Sequence, residues 1–476
     1  MYEKCAYKAV RLGVDKNIHL RRFVMALYDV TRYGVRNDGV TNNTKAIAEV
    51  ISLAASNGGG TIYFPSGTYI SGSIELKSNM TLYLESGALI LGSEDRADYP
   101  MITKEMVEGY TREGHAALIY AINAENVTVE GRGTIDGRGY NWWANKENEH
   151  RPRMFQTILC DNVRLAGITI KNSPMWTVHP ICCTNVTIDG ITIRNPWDSP
   201  NTDGINPESC STVHISNCTI DVGDDCLTLK SGTEDDLLQK QYPCENIVVT
   251  NCTMLNGHGG VVIGSEMSGG VKNVTISNCV FNGTDRGIRV KTRRKRGGCI
   301  EDVLINNIMM TNVFAPITVN GYYQCGGTDP DDMSLFSLEK LPVEDDTPVM
   351  KNIIISNVRA TATTSTAGYI YGIPESPVEG LRISNYSVEM IPTDEEIKDA
   401  PIMAWHIKKT VGTGLYCCFC KDIVFDNVSI KVLNGPAVKV EKSENIRLTG
   451  ISVTGGDSVS ETIECKNVVM NNEKID

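Results

Sequence analysis

No uninterrupted apolar stretch in this sequence approaches the roughly 20 residues needed to cross a bilayer, so neither a membrane protein nor a membrane partner is expected. The amino terminus, MYEKCAYKAVRLGVDKNIHLRRF, lacks the continuous apolar segment of a secretory leader. A cytoplasmic location follows as the expectation, or secretion if a leader has been removed. Paired CxxC units of the zinc-ribbon kind are missing although there are sixteen cysteines, which fits reduced thiols used as small core residues and predicts neither a metal nor a cofactor. Positive charge is also short. A net charge of −12 argues against nucleic acid as a partner and repels polyanions at long range unless a local basic patch overrides it.

What the chain does have is self-similarity. A pattern of Asn followed by alternating β-branched residues begins at Asn126, Asn162, Asn185, Thr212, Asn246, Asn273, Asp302, Asn352, Gly380, Asp422 and Asn445. Most intervals are too short for repeated βαβ units but suit one coil of several short strands. Alternation such as Val274-Thr275-Ile276-Ser277 gives each coil an inside and an outside. The predicted fold is therefore all-β, a single-stranded right-handed parallel β-helix. Asn217, Asn251, Asn278, Asn307, Asn357 and Asn427 share one turn position, where Asn tolerates left-handed backbone and can form a hydrogen-bonded ladder. Cys218, Cys252 and Cys279 follow three of them and read as an inward stack.

Residues 1–27 read as a leading extension and 28–476 as the β-helix domain, with a helix around Ala46 to Ala55 capping the first coil. Segments 328–348 and 390–416 break the period and are expected as rim loops of the kind that build binding faces.

Aligning the coils on their Asn turn superposes TDGINPE, GDDCLTLK, GHGGVVIG, DRGIRVKT and FAPITVNG, with Ile205, Leu227, Val261, Ile288 and Ile317 in one inward ladder. In that register Asp203 stacks on Asp225 and Asp224 on His258, while Arg289 and Lys291 project from the same outer face. Glycoside hydrolysis needs one carboxyl as proton donor and another to activate water or attack the sugar, and crowding among carboxylates raises a pKa. Asp224 beside His258 is the candidate acid; Asp203 and Asp225 can hold a water. The two cations suit a sugar carboxylate.

Asn201-Thr202-Asp203-Gly204, Gly223-Asp224-Asp225, Gly257-His258-Gly259 and Arg289-Val290-Lys291, in this order, resemble the signatures of the polygalacturonases of glycoside hydrolase family 28. The resemblance runs from about Tyr28 to beyond Tyr323. It implies hydrolysis of α-1,4-galacturonosyl linkages, with Asp224 as acid, Asp203 and Asp225 positioning water, His258 tuning the acid, and Arg289 and Lys291 binding substrate. It also implies a substrate-contacting tyrosine, Tyr323 or else Tyr322. The stretch GVVIGSEMSGGV is similar to exo-type bacterial members and adds Glu266 to the substrate-binding candidates. His179, in PMWTVHP, is a further one, with a structural role as its alternative. Trp142, Trp143 and Trp176 are read as core or as sugar platforms, and Arg293-Arg294-Lys295-Arg296 as an extension of the carboxylate-binding surface or a solvated turn. The implied partner is a galacturonate oligosaccharide or pectin; a homo-oligomer stays open. Competing readings are endo action, rhamnogalacturonan or xylogalacturonan fragments as substrate, a calcium-dependent pectate lyase, and a non-catalytic glycan-binding β-helix.

Overall fold

The computed structural model describes residues 26–144, 150–325, 332–394 and 399–475. Most of the expected leading extension therefore lies outside the described residues. Among the described residues parallel pairing begins at Leu27, one residue earlier than expected, where Leu27–Asp29 aligns with Gly60–Phe64. From there the chain winds as a right-handed parallel β-helix.

One inward position shows how the coils are held. Val127, Val163, Val186, Val213, Ile247, Val274, Val303 and Ile353 pair in unbroken succession, and all are buried. Each such side chain contributes about 1.5–3 kcal/mol by leaving water. β-branched residues suit the row because their stiff side chains pack well on a pleated surface. Cys218, Cys252 and Cys279 are likewise buried, as free thiols.

Every repeat start named above has positive φ, from 53° at Asn352 to 66° at Gly380. So do the six turn asparagines, at 52° to 59°. This is the backbone region that costs most residues about 1–2 kcal/mol and that Asn and Gly visit readily. The side chains repay the geometry. Asn307 Nδ2 donates to Asn278 Oδ1 at 2.7 Å, Asn385 to Asn357 at 2.9 Å and Asn427 to Asn385 at 2.8 Å. Asn162 and Asn126 continue a second such ladder to Asn79, with both bonds at 2.7 Å.

The capping helix spans Thr44–Ser56. Its buried residues Ile47, Val50, Ile51 and Ala54 follow the i, i+3, i+4, i+7 spacing of a single face. It exits through Gly58-Gly59-Gly60. A Cβ on Gly59, at φ 109°, would lie 2.2 Å from Asn79 O, so only glycine lets the chain re-enter the first coil there.

A separate outer sheet carries Leu227–Leu229, Gly259–Ile263, Arg286–Lys291, Ala315–Asn320, Thr366–Tyr371, Thr413–Cys418, Pro436–Glu441 and Ser458–Ile463. Thr413–Cys418 shortens the second rim loop relative to the expected 390–416. Leu415 and Cys417 align with Gly368 and Ile370 and are buried, so the last residues of that segment rejoin the coil. Among the described residues no helix is long and apolar enough to cross a membrane.

Candidate active site

The inward ladder that organises the site is present as a chain of parallel pairings, Ile205 to Leu227, Leu227 to Val261, Val261 to Ile288, and Ile288 to Ile317. All five side chains are buried. Their register brings Asp203 beside Asp225 and Asp224 beside His258. His258 Nδ1 lies 3.3 Å from Asp224 Oδ1, and this bond raises the imidazole pKa against the opposing effect of burial. Asp224 also accepts from Asp225 N at 2.9 Å. A cavity of about 530 Å³ opens beside Asp224 and His258, with Trp197 and Asn201 on its wall.

Arg289 and Lys291 do project from one face, and in the free protein both are occupied. Arg289 Nη1 lies 2.9 Å from Asp225 Oδ1 and Lys291 Nζ 2.6 Å from Asp225 Oδ2. Burial works against an ionised Asp225, but Lys291 and Arg289 outweigh it and hold the carboxyl well below the ordinary range. Asp203 goes the other way. Its burial, followed by repulsion from Asp224, pushes its pKa well above the usual value, with Asn206 Nδ2 donating to Oδ2 at 3.1 Å. At Asp203 burial is the larger influence, and the neighbouring carboxylates add to it.

Tyr323 and Tyr322 separate cleanly. The Tyr323 ring centre is 5.0 Å from Lys291 Nζ and 5.7 Å from Arg289 Cζ. Tyr322 is fully buried and donates to Ser337 O at 3.0 Å, which makes it a loop anchor. Glu266 Oε2 is 2.8 Å from Lys230 Nζ, whose charge holds the Glu266 carboxyl low against burial. Lys230 closes the segment GDDCLTLK, yet the coil alignment did not single it out, because its partner comes from the irregular turn after Ile263.

His179 does not reach the surface. Its side chain has no exposure, Nε2 lies 2.7 Å from Glu208 Oε2, and burial pushes its pKa down to about 4. Glu208 is held at about 2, chiefly by Arg112 acting against burial. Arg112 in turn contacts Glu208 at 2.8 Å and Asp236 at 2.9 Å. His179 therefore belongs to a buried ion network beneath the groove. Trp142 is also fully buried, with Arg96 4.3 Å from its ring centre, and Trp143 donates to Ser173 O at 3.2 Å. Trp176 alone of the three stands beside the site, with Lys230 Nζ 4.5 Å from its ring centre.

The basic run 293–296 is a set of fasteners, not an extension of the carboxylate-binding surface. Arg293 and Arg296 pair with Glu234 at 2.6 Å and 2.9 Å, and Arg294 pairs with Glu375 and donates to Ser334 O at 2.9 Å and Ser337 O at 2.6 Å. Lys295 pairs with Asp332. The run thus ties down the first rim loop. The second loop reaches across the same sheet. Arg286 donates to Ala400 O at 2.7 Å, Asn320 to Met403 O at 3.2 Å, and Arg289 Nη2 to Met403 Sδ at 3.0 Å. Phe336 and Trp405 pack edge to face at 5.7 Å, so the two loops meet.

Clustered carboxylates, a histidine and paired cations on the outer sheet of a parallel β-helix define a glycoside-hydrolase type of site. The sequence model described as Glycosyl hydrolases family 28 matches residues 101–406, and one described as Rhamnogalacturonase A/epimerase, pectate lyase-like matches residues 27–92. The chain belongs to family 28 of the glycosyl hydrolases. It is 33% identical to a probable polygalacturonase of Vitis vinifera over 75% of this chain and 73% of that protein. An endo-polygalacturonase of Pectobacterium carotovorum subsp. carotovorum is 27% identical over 54% of this chain and 66% of its own. Among solved structures, a hyperthermoactive exopolygalacturonase from Thermotoga maritima superposes with a TM-score of 0.67 at 28% identity, covering 84% of this chain and 92% of the other.

Proposed function

We propose that this glycoside hydrolase cleaves α-1,4-galacturonosyl linkages of pectin-derived galacturonan, removing single units from the non-reducing end with inversion. The observation that carries the reading is the divided state of the carboxylates. Asp225 is pulled low by Lys291 and Arg289 against its burial, Asp203 one coil away is pushed up by burial and by Asp224, and Asp224 stands at the open cavity beside His258. In this reading Asp224 protonates the leaving oxygen and His258 orients it. A water held between Asp203 and Asp225 attacks from the other face, the ionised carboxylate taking its proton. An incoming sugar carboxylate shares Arg289 and Lys291 with Asp225, which favours a uronic acid over a neutral sugar.

Exo action is supported by the loop that lays Met403 on Arg289 and Asn320. A chain passing Arg289 toward the C-terminal coils meets that loop, so the sugar at the cations is a chain end. Digestion of pentagalacturonate followed by chromatography and proton NMR is expected to give monomer and tetramer from the earliest samples, the monomer first as its β anomer. Early dimer and trimer would overturn exo action; an initial α anomer would overturn inversion.

A further inference from the structure

The outward rows that carry Arg289 and Lys291 continue toward the C-terminal coils, past the second rim loop. Arg289 pairs with Thr318, Thr318 with Tyr369, Tyr369 with Tyr416 and Tyr416 with Lys439. Beside it Lys291 pairs with Asn320, Asn320 with Tyr371, Tyr371 with Cys418 and Cys418 with Glu441. Three strand spacings separate Arg289 from Tyr416 along the axis, about 14 Å. The loop sits across these rows at Asn320, which donates to Met403 O, and at Tyr371, whose hydroxyl lies 3.4 Å from His406 Nε2. Beyond it opens a cavity of about 570 Å³, lined in part by Tyr369, Tyr416, Asn434, Lys439 and Glu441. Among the described residues it shares no lining residue with the cavity beside Asp224.

The fold does not use the three tyrosines alike. Tyr371 sets its ring against Tyr322, His406 and Phe419, at 5.3, 5.9 and 6.0 Å between centres, and so fastens the loop. Tyr369 and Tyr416 stack on each other, with centres 4.6 Å apart and planes at 36°. Tyr416 is half-buried, and its hydroxyl donates to Glu441 Oε2 at 2.7 Å. Tyr369 is only 9% exposed, and among the described residues its hydroxyl has no hydrogen-bond partner. Burial works against an ionised Glu441, but Tyr416 and Lys439 outweigh it and hold the carboxyl below its ordinary range. Lys439 Nζ lies 2.9 Å from Glu441 Oε1 and 3.5 Å from Glu461 Oε1, so two carboxylates already match this cation. Lys408 stands exposed at the rim.

A hydroxyl taken out of water without a partner is costly, and a ligand that completes its hydrogen bond repays the cost. An aromatic body with a polar tip suits a molecule that is apolar on one side and hydroxylated at its edge. A pyranose ring has that form, C–H groups on its face and hydroxyls around its rim. We propose that this cavity is an accessory binding site for a neutral pyranose oligosaccharide. Tyr416 and Tyr369 offer the platform, the Tyr369 hydroxyl takes up its missing bond, and Glu441 accepts from sugar hydroxyls. A uronic acid is disfavoured, because the Lys439 charge is spent and the floor carries the excess carboxylate. The site holds and does not cut, since Glu441 is the one carboxylate among its described lining residues and hydrolysis needs two. It uses none of the groups assigned to cleavage, so it stands apart from the galacturonan reading. Its effect is to tether the enzyme to a polymer that carries neutral sugars as well as acidic ones.

The test is calorimetric titration of the Asp224→Asn protein with β-1,4-linked tetramers of galactose, glucose and xylose, and separately with trigalacturonate. At least one neutral tetramer is expected to bind saturably. Tyr416→Leu should weaken that binding roughly tenfold and Tyr369→Phe, which removes only the hydroxyl, about threefold, with trigalacturonate affinity unchanged in both. Absence of saturable binding by all three tetramers overturns the proposal, as does neutral binding that neither substitution alters. A parallel loss of trigalacturonate affinity overturns it too, by making these coils part of the cleavage groove. Should Tyr416→Leu fail to fold, Tyr369→Phe keeps both rings in place and decides the matter by the same readings.

Discussion

The asparagine ladders and the carboxylate row are built to one geometry, a polar side chain repeated on successive coils at strand spacing, and they differ in what is stacked. An amide has a donor and an acceptor, so Asn307 on Asn278 and Asn427 on Asn385 satisfy one another directly. A carboxylate has acceptors alone when ionised. Asp203 on Asp225 is tolerated because Arg289 and Lys291 neutralise one member and burial shifts the other toward its protonated form. The first row stabilises the coils and the second holds a charge imbalance in place. The same backbone thus makes scaffold or chemistry according to whether the stacked groups complement themselves.

Substitutions in the two rows are expected to have opposite signatures. The largest effect is that of Asp224→Asn, which removes the proton donor. Turnover should fall by about 10²–10⁴ with no loss of thermal stability, measured as kcat on trigalacturonate and Tm by calorimetry. Retention of more than a few per cent of activity would show that the acid is another group. Next is Asn307→Ala in the ladder, at φ 57° and with its bond to Asn278 lost. Denaturant unfolding is expected to report about 1–2 kcal/mol of destabilisation, with kcat unchanged. Equal losses in activity would mean that the scaffold and the site are not separable.

The smallest effect, and the sharpest, is that of Asp203→Asn on stability. A carboxyl whose folded pKa is raised contributes stability below its unfolded value of 3.8, and loses it as pH rises through the folded pKa. At neutral pH the neutral amide is therefore the better tenant. Tm should rise near pH 7, and the gain should vanish below pH 3.8, while activity is lost. A lower Tm at pH 7 would mean that Asp203 is stabilised there as an anion.

Local periodicity made the fold legible. Repeat starts chosen only for Asn, Asp, Thr or Gly before a β-branched run all adopt positive φ, and the inward ladder from Ile205 to Ile317 lies in the register that superposing the coils implies. The placing of Asp203, Asp224, Asp225, His258, Arg289 and Lys291 on one surface follows from that register. Illegible parts are those whose partners come from outside the repeat. Arg112 lies in a segment with no period and reaches Glu208 and Asp236 far along the chain. That contact, with the Glu208 bond, encloses His179, which the sequence left open between a substrate contact and a structural role. The run 293–296 looked free because its carboxylates, Glu234, Glu375 and Asp332, sit in irregular loops. Spacing cannot report a contact that a loop makes.

The ladders have a direction. Among the described residues Asn126, Asn162, Asn307, Asn385 and Asn427 each give an amide hydrogen to the coil before. Each coil therefore has a head and a tail, like a tile with a tab on one edge and a notch on the other. Deleting or inserting a whole coil is therefore expected to let the joint close again, whereas part of a coil would leave a tab facing no notch. The length of the groove is thereby an adjustable quantity, set in whole turns of the helix, with the chemistry riding on whichever turns carry the carboxylates.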